Sequence, residues 1–221
     1  MESMKERWFA FCKILSPEAE TIAILGTYAG LEMHYRTDPF RFYHTFFEHI
    51  EPCLNELEAV RHLCYDPTVV EMALWCHDVF YDVKRHDNEH MSAILASYFM
   101  GRLGKEPDFV VHVVNCILAT AHKKLPTDHD AQFVVDIDLS YLGASWDVFQ
   151  KNTENIRREY REGLSLTKQE WRNGRMKFVE GMLDTKKRPC IYCTDFFRNK
   201  YEAQARANLE RSLEELRAVA N

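Results

Sequence analysis

Apolar residues return every three or four positions in segment after segment of this chain, a spacing that gathers them on one face of a helix and scatters them over both faces of a strand. The clearest case follows Asp66-Pro67, where Val70, Ala73, Leu74 and then His77 share one row. Asp can cap the free amides of a helix start, and Pro is tolerated in the first turn, so a helix is predicted over 68–80. Asp87-Asn88-Glu89 opens a second helix with Ala93, Ala96, Phe99 and Met100 inward, and Gly101 or Gly104 marks its end. Pro107 opens a third, with Val110, Val113, Val114, Ile117 and Leu118 on its apolar side. Residues 146–161, 168–183 and 194–218 continue the pattern, the last with a Leu209, Leu213, Leu216 stripe. The segment 133–142 is ambiguous: Phe133-Val134-Val135 has strand propensity, but alternation fails beyond it, and a buried helix is the reading. With 8 Gly and 7 Pro among 221 residues, the chain lacks the turn chemistry that many short strands need. The expectation is all-α, a compact helical bundle forming one domain over 1–221.

A formal charge of −6 leaves no electrostatic footprint for wrapping a nucleic-acid polymer, although a local basic patch can hold a small anion. The 7 Cys are odd in number and irregularly spaced, which reads as reduced thiols in a cytoplasmic compartment. Residues 1–12 are charged and then aromatic, without the apolar core of a signal peptide, and no later stretch approaches the length of a membrane span. A cytoplasmic protein with no membrane partner is therefore expected. Cys190-Ile191-Tyr192-Cys193 stands without the second ligand pair that a structural zinc site uses. Lys186-Lys187-Arg188 reads as a solvated loop.

The chemistry is concentrated in three places. His44 and His49 lie in Tyr43-His44-Thr45-Phe46-Phe47-Glu48-His49-Ile50, His77 and Asp78 are adjacent inside an apolar stretch, and Asp136-Ile137-Asp138-Leu139 embeds two further acids among apolar neighbours. Burying a carboxylate is costly unless it is paired or coordinates a cation, so these acids need partners. Buried salt bridges with Arg or Lys are one answer and a metal is the other. Consecutive helical side chains diverge by about 100°, yet an imidazole and a short carboxylate can still converge on one ion in a groove between helices. A mixed nitrogen and oxygen set with two carboxylates, Asp138 being the better second one, suits a divalent cation (Mn²⁺, Fe²⁺, Co²⁺, Mg²⁺ or Zn²⁺) in an open site.

The order of a His, then His77-Asp78, then Asp138 resembles the HD superfamily. Arg41-Phe42-Tyr43-His44-Thr45, the stretch from Ala73 through Asp82, Asp87-Asn88-Glu89, Asp136 through Gly143, and Ala205-Arg206-Ala207-Asn208-Leu209 are similar to a group of predicted metal-dependent HD phosphohydrolases. The resemblance runs from about Arg41 to Leu213 and implies an HD-domain helical bundle with a metal held by His44 or His49, His77, Asp78 and Asp138. Two departures stand out. His44 and His49 are five apart where the family pattern has four, as if one residue were inserted. The match favours His44, and a shift of register across the extra residue hands the role to His49. Ala121 stands where the family often carries a basic residue.

The implied activity is hydrolysis of a small phosphorylated substrate, such as a nucleotide, by water activated at the metal. Asp78 belongs to the catalytic set, Glu89 is the first choice of general base and Asp82 the second. Arg41, Lys84, Arg85, Lys123 and Lys124 are the cations nearest in sequence for binding phosphate. His112 and His122 are candidates for a second metal, with a capping or exposed role as the plainer reading. Two other functions remain open: a binuclear-iron HD oxygenase, and a metal- or ligand-binding HD module without turnover. The sequence sets no oligomeric state and leaves a dimer open.

Overall fold

In the computed structural model, which describes residues 3–218, the chain is all-helical, with no strand among those residues. Helix α1 (Met4–Leu15) starts in a capping box between Ser3 and Glu6, and α2 (Thr21–Thr37) packs back on it. A π turn (Phe46–Ile50) runs into α3 (Glu51–Val60). Helix α4 (Pro67–Cys76) follows Asp66, whose side chain accepts the amides of Thr68 and Val69. Every residue from Val69 to Cys76 is buried, which suits a helix with neighbours on all sides. Those neighbours are α3, α5 (Asn88–Arg102), α6 (Pro107–Ala119) and α7 (His129–Asp138). Glu71 is carried into this core paired with Arg61 Nη2 at 2.6 Å.

Helix α4 ends four residues short of the predicted 80. Ser92 and Asn88 of α5 take main-chain groups of Phe80 and Asp82, and the Val79 amide turns back to Cys76 O, drawing the chain out of helical register. His77 therefore caps the helix, its N–H on Ala73 O, and Asp78 lies in the turn that follows. At the end of α5, Gly104 adopts φ 72, the left-handed conformation that glycine provides without strain.

The ambiguous segment 133–142 is helical, as α7 followed by a 3-10 turn (Leu139–Gly143). Helices α8 (Trp146–Leu164) and α9 (Lys168–Leu183) come next. The helix expected over 194–218 is continuous from Asp195, with a π turn (Arg198–Glu202) between α10 (Asp195–Phe197) and α11 (Ala203–Ala218), which packs on α9 and on the 3-10 turn. Gly143 lies where a Cβ would stand 2.5 Å from Tyr201 Cβ, so this crossing needs glycine. One apolar core runs from Met4 to Leu213. Among the described residues no helix is long and apolar enough to cross a membrane.

Candidate metal centre

The π turn is the first device of the site. Ile50 N–H donates to Thr45 O at 3.1 Å and Glu51 N–H to Phe46 O, the i→i+5 pattern that accommodates one residue more than an α turn. The five-residue spacing of His44 and His49 spans this π turn, and His49 is left 2% exposed. His44 is held elsewhere. Its Nδ1 lies 2.7 Å from Glu159 Oε2, while Glu159 Oε1 accepts the amides of Phe42, Tyr43 and His44.

His49, His77 and Asp138 form a group able to hold a metal ion, and Asp78 stands against both of its histidines. The Nε2 atoms of the two histidines are 2.9 Å apart. Asp78 Oδ2 lies 3.3 Å from His49 Nε2 and 3.1 Å from His77 Nε2, and Asp138 Oδ1 lies 3.1 and 3.6 Å from the same atoms. Ligands on adjacent corners of an octahedral site with bonds of about 2.1 Å stand about 3 Å apart. The two imidazoles and Asp138 are therefore spaced to share one cation, with Asp78 Oδ2 beside both imidazoles. The sequence match favoured His44 for the upstream position; the fold brings His49 there, because the π turn sets its register and Glu159 retains His44.

The surroundings orient the imidazoles. His77 Nδ1 donates to Leu74 O at 3.0 Å, which turns Nε2 toward the cluster, and His49 Nδ1 faces the Cys53 thiol at 3.7 Å. Burial opposes charge on both rings. Cys53, Tyr43, Asp138 and Asp78 nevertheless hold His49 well above its ordinary pKa, and Asp78 with Asp138 does the same for His77. Burial likewise works against Asp78 and Asp138, yet His77, His44 and His49 hold Asp78, and His122, His49 and His77 hold Asp138, well below the usual carboxylate range. The two acids favour positive charge beside them.

His122 reaches the cluster by a route the sequence did not suggest. Its backbone lies in the left-handed region at φ 53, its Nε2 stands 2.9 Å from Asp138 Oδ2, and its Nδ1 is buried without a partner. Such a backbone costs a non-glycine residue about 1 kcal/mol or more. His122 thus ends the turn after α6, its N–H donating to Ala119 O, while its side chain turns to the cluster instead of to solvent. His112 lies with Cys116 and Asp128 in a separate group, so the two histidines do not share a site.

A cavity of about 610 Å³ opens on the cluster through Asp78 and Asp138. Glu89, in the first turn of α5, lines it, as do His44, His122 and Lys123. Arg85 also lines it but is already paired with Asp87 at 2.7 Å. Asp82, Lys84, Arg41 and Lys124 do not belong to the lining. The Asp82 carboxylate caps the Lys84 amide at 2.9 Å, and Arg41 is buried with Nη1 and Nη2 on the carbonyls of His44 and Val79. The opposite wall comes from α8 and α9, including Tyr160, Trp171, Arg175 and Phe178, and the motif reading missed it because its residues are distant in sequence from every acid of the cluster.

Asp136, two residues before Asp138, faces away. It accepts the amides of Cys193 and Thr194 at 2.6 and 2.7 Å and the Thr194 hydroxyl at 2.7 Å. Cys190-Ile191-Tyr192-Cys193 is accordingly a clamped loop, with Glu202 taking the amides of Ile191 and Tyr192. No family model, curated protein or solved structure matches this chain.

Proposed function

We propose that the protein is a metal-dependent phosphohydrolase acting on a small phosphorylated molecule, with the cation held by His49, His77, Asp78 and Asp138. The observation that carries this reading is the convergence of two imidazole nitrogens and two carboxylates, 2.9 to 3.6 Å apart, at the inner end of a cavity. The order of these residues and their resemblance to HD phosphohydrolases support it. A divalent cation in this set supplies Lewis acidity, activating water and offsetting charge on phosphoryl oxygens.

The remaining work falls to the chain itself. Leu74 O fixes the tautomer of His77, and the buried Tyr43 ring packs on His49 with centroids 4.7 Å apart. Glu89, on the cavity wall, is the group to accept a proton from the attacking water. Lys123 offers a positive charge at the cavity rim. All seven cysteines stand as free thiols, which supports work in a reducing, cytoplasmic compartment.

One observation favours a second reading. His122, on the outer oxygen of Asp138 with an unpartnered Nδ1, extends the donor set in the direction a second cation would take, as a binuclear oxygenase requires. Metal analysis of the purified protein, followed by a phosphate-release screen over nucleotides and sugar phosphates, tests both. About one ion per chain with metal-dependent phosphate release supports the hydrolase. Two irons with oxygen consumption support the alternative, and a protein that takes up no divalent metal overturns both.

A further inference from the structure

Among the cations of this cavity, Arg175 has the least explained position. It lies on α9, is 6% exposed, and lines the same cavity as Asp78 and Asp138. Its Nη2 donates to Thr153 Oγ1 at 3.1 Å, its Nε is buried with no partner, and no acid pairs with it among the described residues. Two other buried arginines differ. Arg41, whose Nε is likewise buried without a partner, and Arg188 direct their guanidinium groups onto main-chain carbonyls, His44 and Val79 for the first and Ile191 for the second. Arg175 has a hydroxyl where they have carbonyls.

A guanidinium removed from water without a counter-charge is costly, and its planar fork matches oxyanions. Its packing does not discharge the debt: Phe178 and Phe149 lie 4.8 and 6.0 Å from Cζ, and ring faces give a weaker counter-charge than an acid does. The surrounding wall is flat and apolar, built from Ile156, Tyr160, Leu164, Trp171 and Phe178. An anion receptor set in an aromatic wall describes a ligand that joins an oxyanion to a flat ring.

We infer that Arg175 is the anion-binding residue of this cavity and that its ligand is a nucleotide-like phosphate, an aromatic base joined to a phosphoryl group. The inference rests on the reading of the cavity as a phosphohydrolase site and narrows its substrate class. It also replaces Arg41 and Lys84, the sequence-nearest cations, with one from α9.

The test measures binding of adenosine 5′-monophosphate and of adenosine to the full chain, by calorimetry, in Mn²⁺ and after chelation. Arg175→Met keeps the packing between the two rings and removes the charge. It is expected to weaken the monophosphate by about tenfold or more and to leave adenosine unchanged. The ratio between wild type and variant persists after chelation, because Arg175 lies outside the metal cluster. If R175M does not fold, Arg175→Lys serves: the charge stays, the fork is lost, and a smaller weakening of the monophosphate alone is expected. Equal weakening of both ligands would make Arg175 a packing residue and overturn the inference. So would wild-type protein that binds the monophosphate no more tightly than adenosine. Arg175-dependent binding without phosphate release from any substrate sinks the hydrolase and leaves the inference standing. Phosphate release from nucleotides with an unchanged KM in R175M does the reverse.

Discussion

Asp136 and Asp138 lie two residues apart at the end of α7 and meet opposite surroundings. Asp136 is fully buried and its oxygens are taken by two amides and a hydroxyl from the loop around Cys193 and Thr194. Asp138 lies at the inner end of the cavity, and its oxygens face only imidazoles, those of His49, His77 and His122. Both acids are satisfied, but main-chain amides and a hydroxyl satisfy one and imidazole nitrogens the other. Buried carboxylates with amide partners fasten the chain, as Asp130 does with the amides of Tyr65 and Asp66 and Glu159 does with those of Phe42, Tyr43 and His44. A carboxylate whose neighbours are imidazole nitrogens is a group that could hold a cation.

The comparison breaks most decisively at Asp138. Asp138→Asn is expected to abolish phosphate release and to lower metal affinity by more than the 10- to 100-fold, roughly, that changes in outer-shell partners bring. Full metal content with activity retained in that variant would remove Asp138 from the centre. Among the histidines, His49→Ala should lose metal nearly as severely, whereas His44→Ala should lose metal affinity by less than about tenfold, since His44 acts beside the cluster and is held by Glu159. The reverse order in metal analysis would show that the π turn does not set the ligand.

Asp136→Ala is a stability variant. Two amides are left buried and unpaired, so chemical denaturation should read a loss of about 3 kcal/mol with the metal content per folded chain unchanged. Chelation should lower the melting temperature of the wild type, and Mn²⁺ at about 100 times its Kd should return about 2.7 kcal/mol. That metal-dependent gain should survive in Asp136→Ala and vanish in Asp138→Asn; a gain equal in both variants would erase the distinction. The smallest effect is expected at Lys84, which does not line the cavity. Lys84→Ala should change neither metal content nor phosphate release, and a rise in KM would restore it to the phosphate-binding set.

Much of the fold was legible because helix formation is announced locally. The spacing of Val70, Ala73 and Leu74 and the Asp66-Pro67 start do not depend on what packs against them, and 168–183 matches α9 as observed. Helix ends were less legible. The early end of α4 depends on Ser92 and Asn88, which come from the next helix, and the π turn at 198–202 left no local mark in the apolar spacing. In the candidate centre, His77, Asp78 and Asp138 stood out as charged groups in apolar stretches, and the fold brings them together.

The sequence by itself determined that the chain would be helical and that certain acids would be buried at a cost, since periodicity and apolar context are properties of neighbouring residues. Only the tertiary structure decided how each cost is met. Asp136 and Asp138 have almost the same sequence context, and the difference lies in which distant groups arrive: the amides of Cys193 and Thr194 at one, the rings of His49, His77 and His122 at the other. The choice of His49 over His44 required the π turn and Glu159, and the position of Arg175 required α9 to close over the cavity. Desolvation makes a buried charge demand a partner, and only the packing of distant segments supplies one.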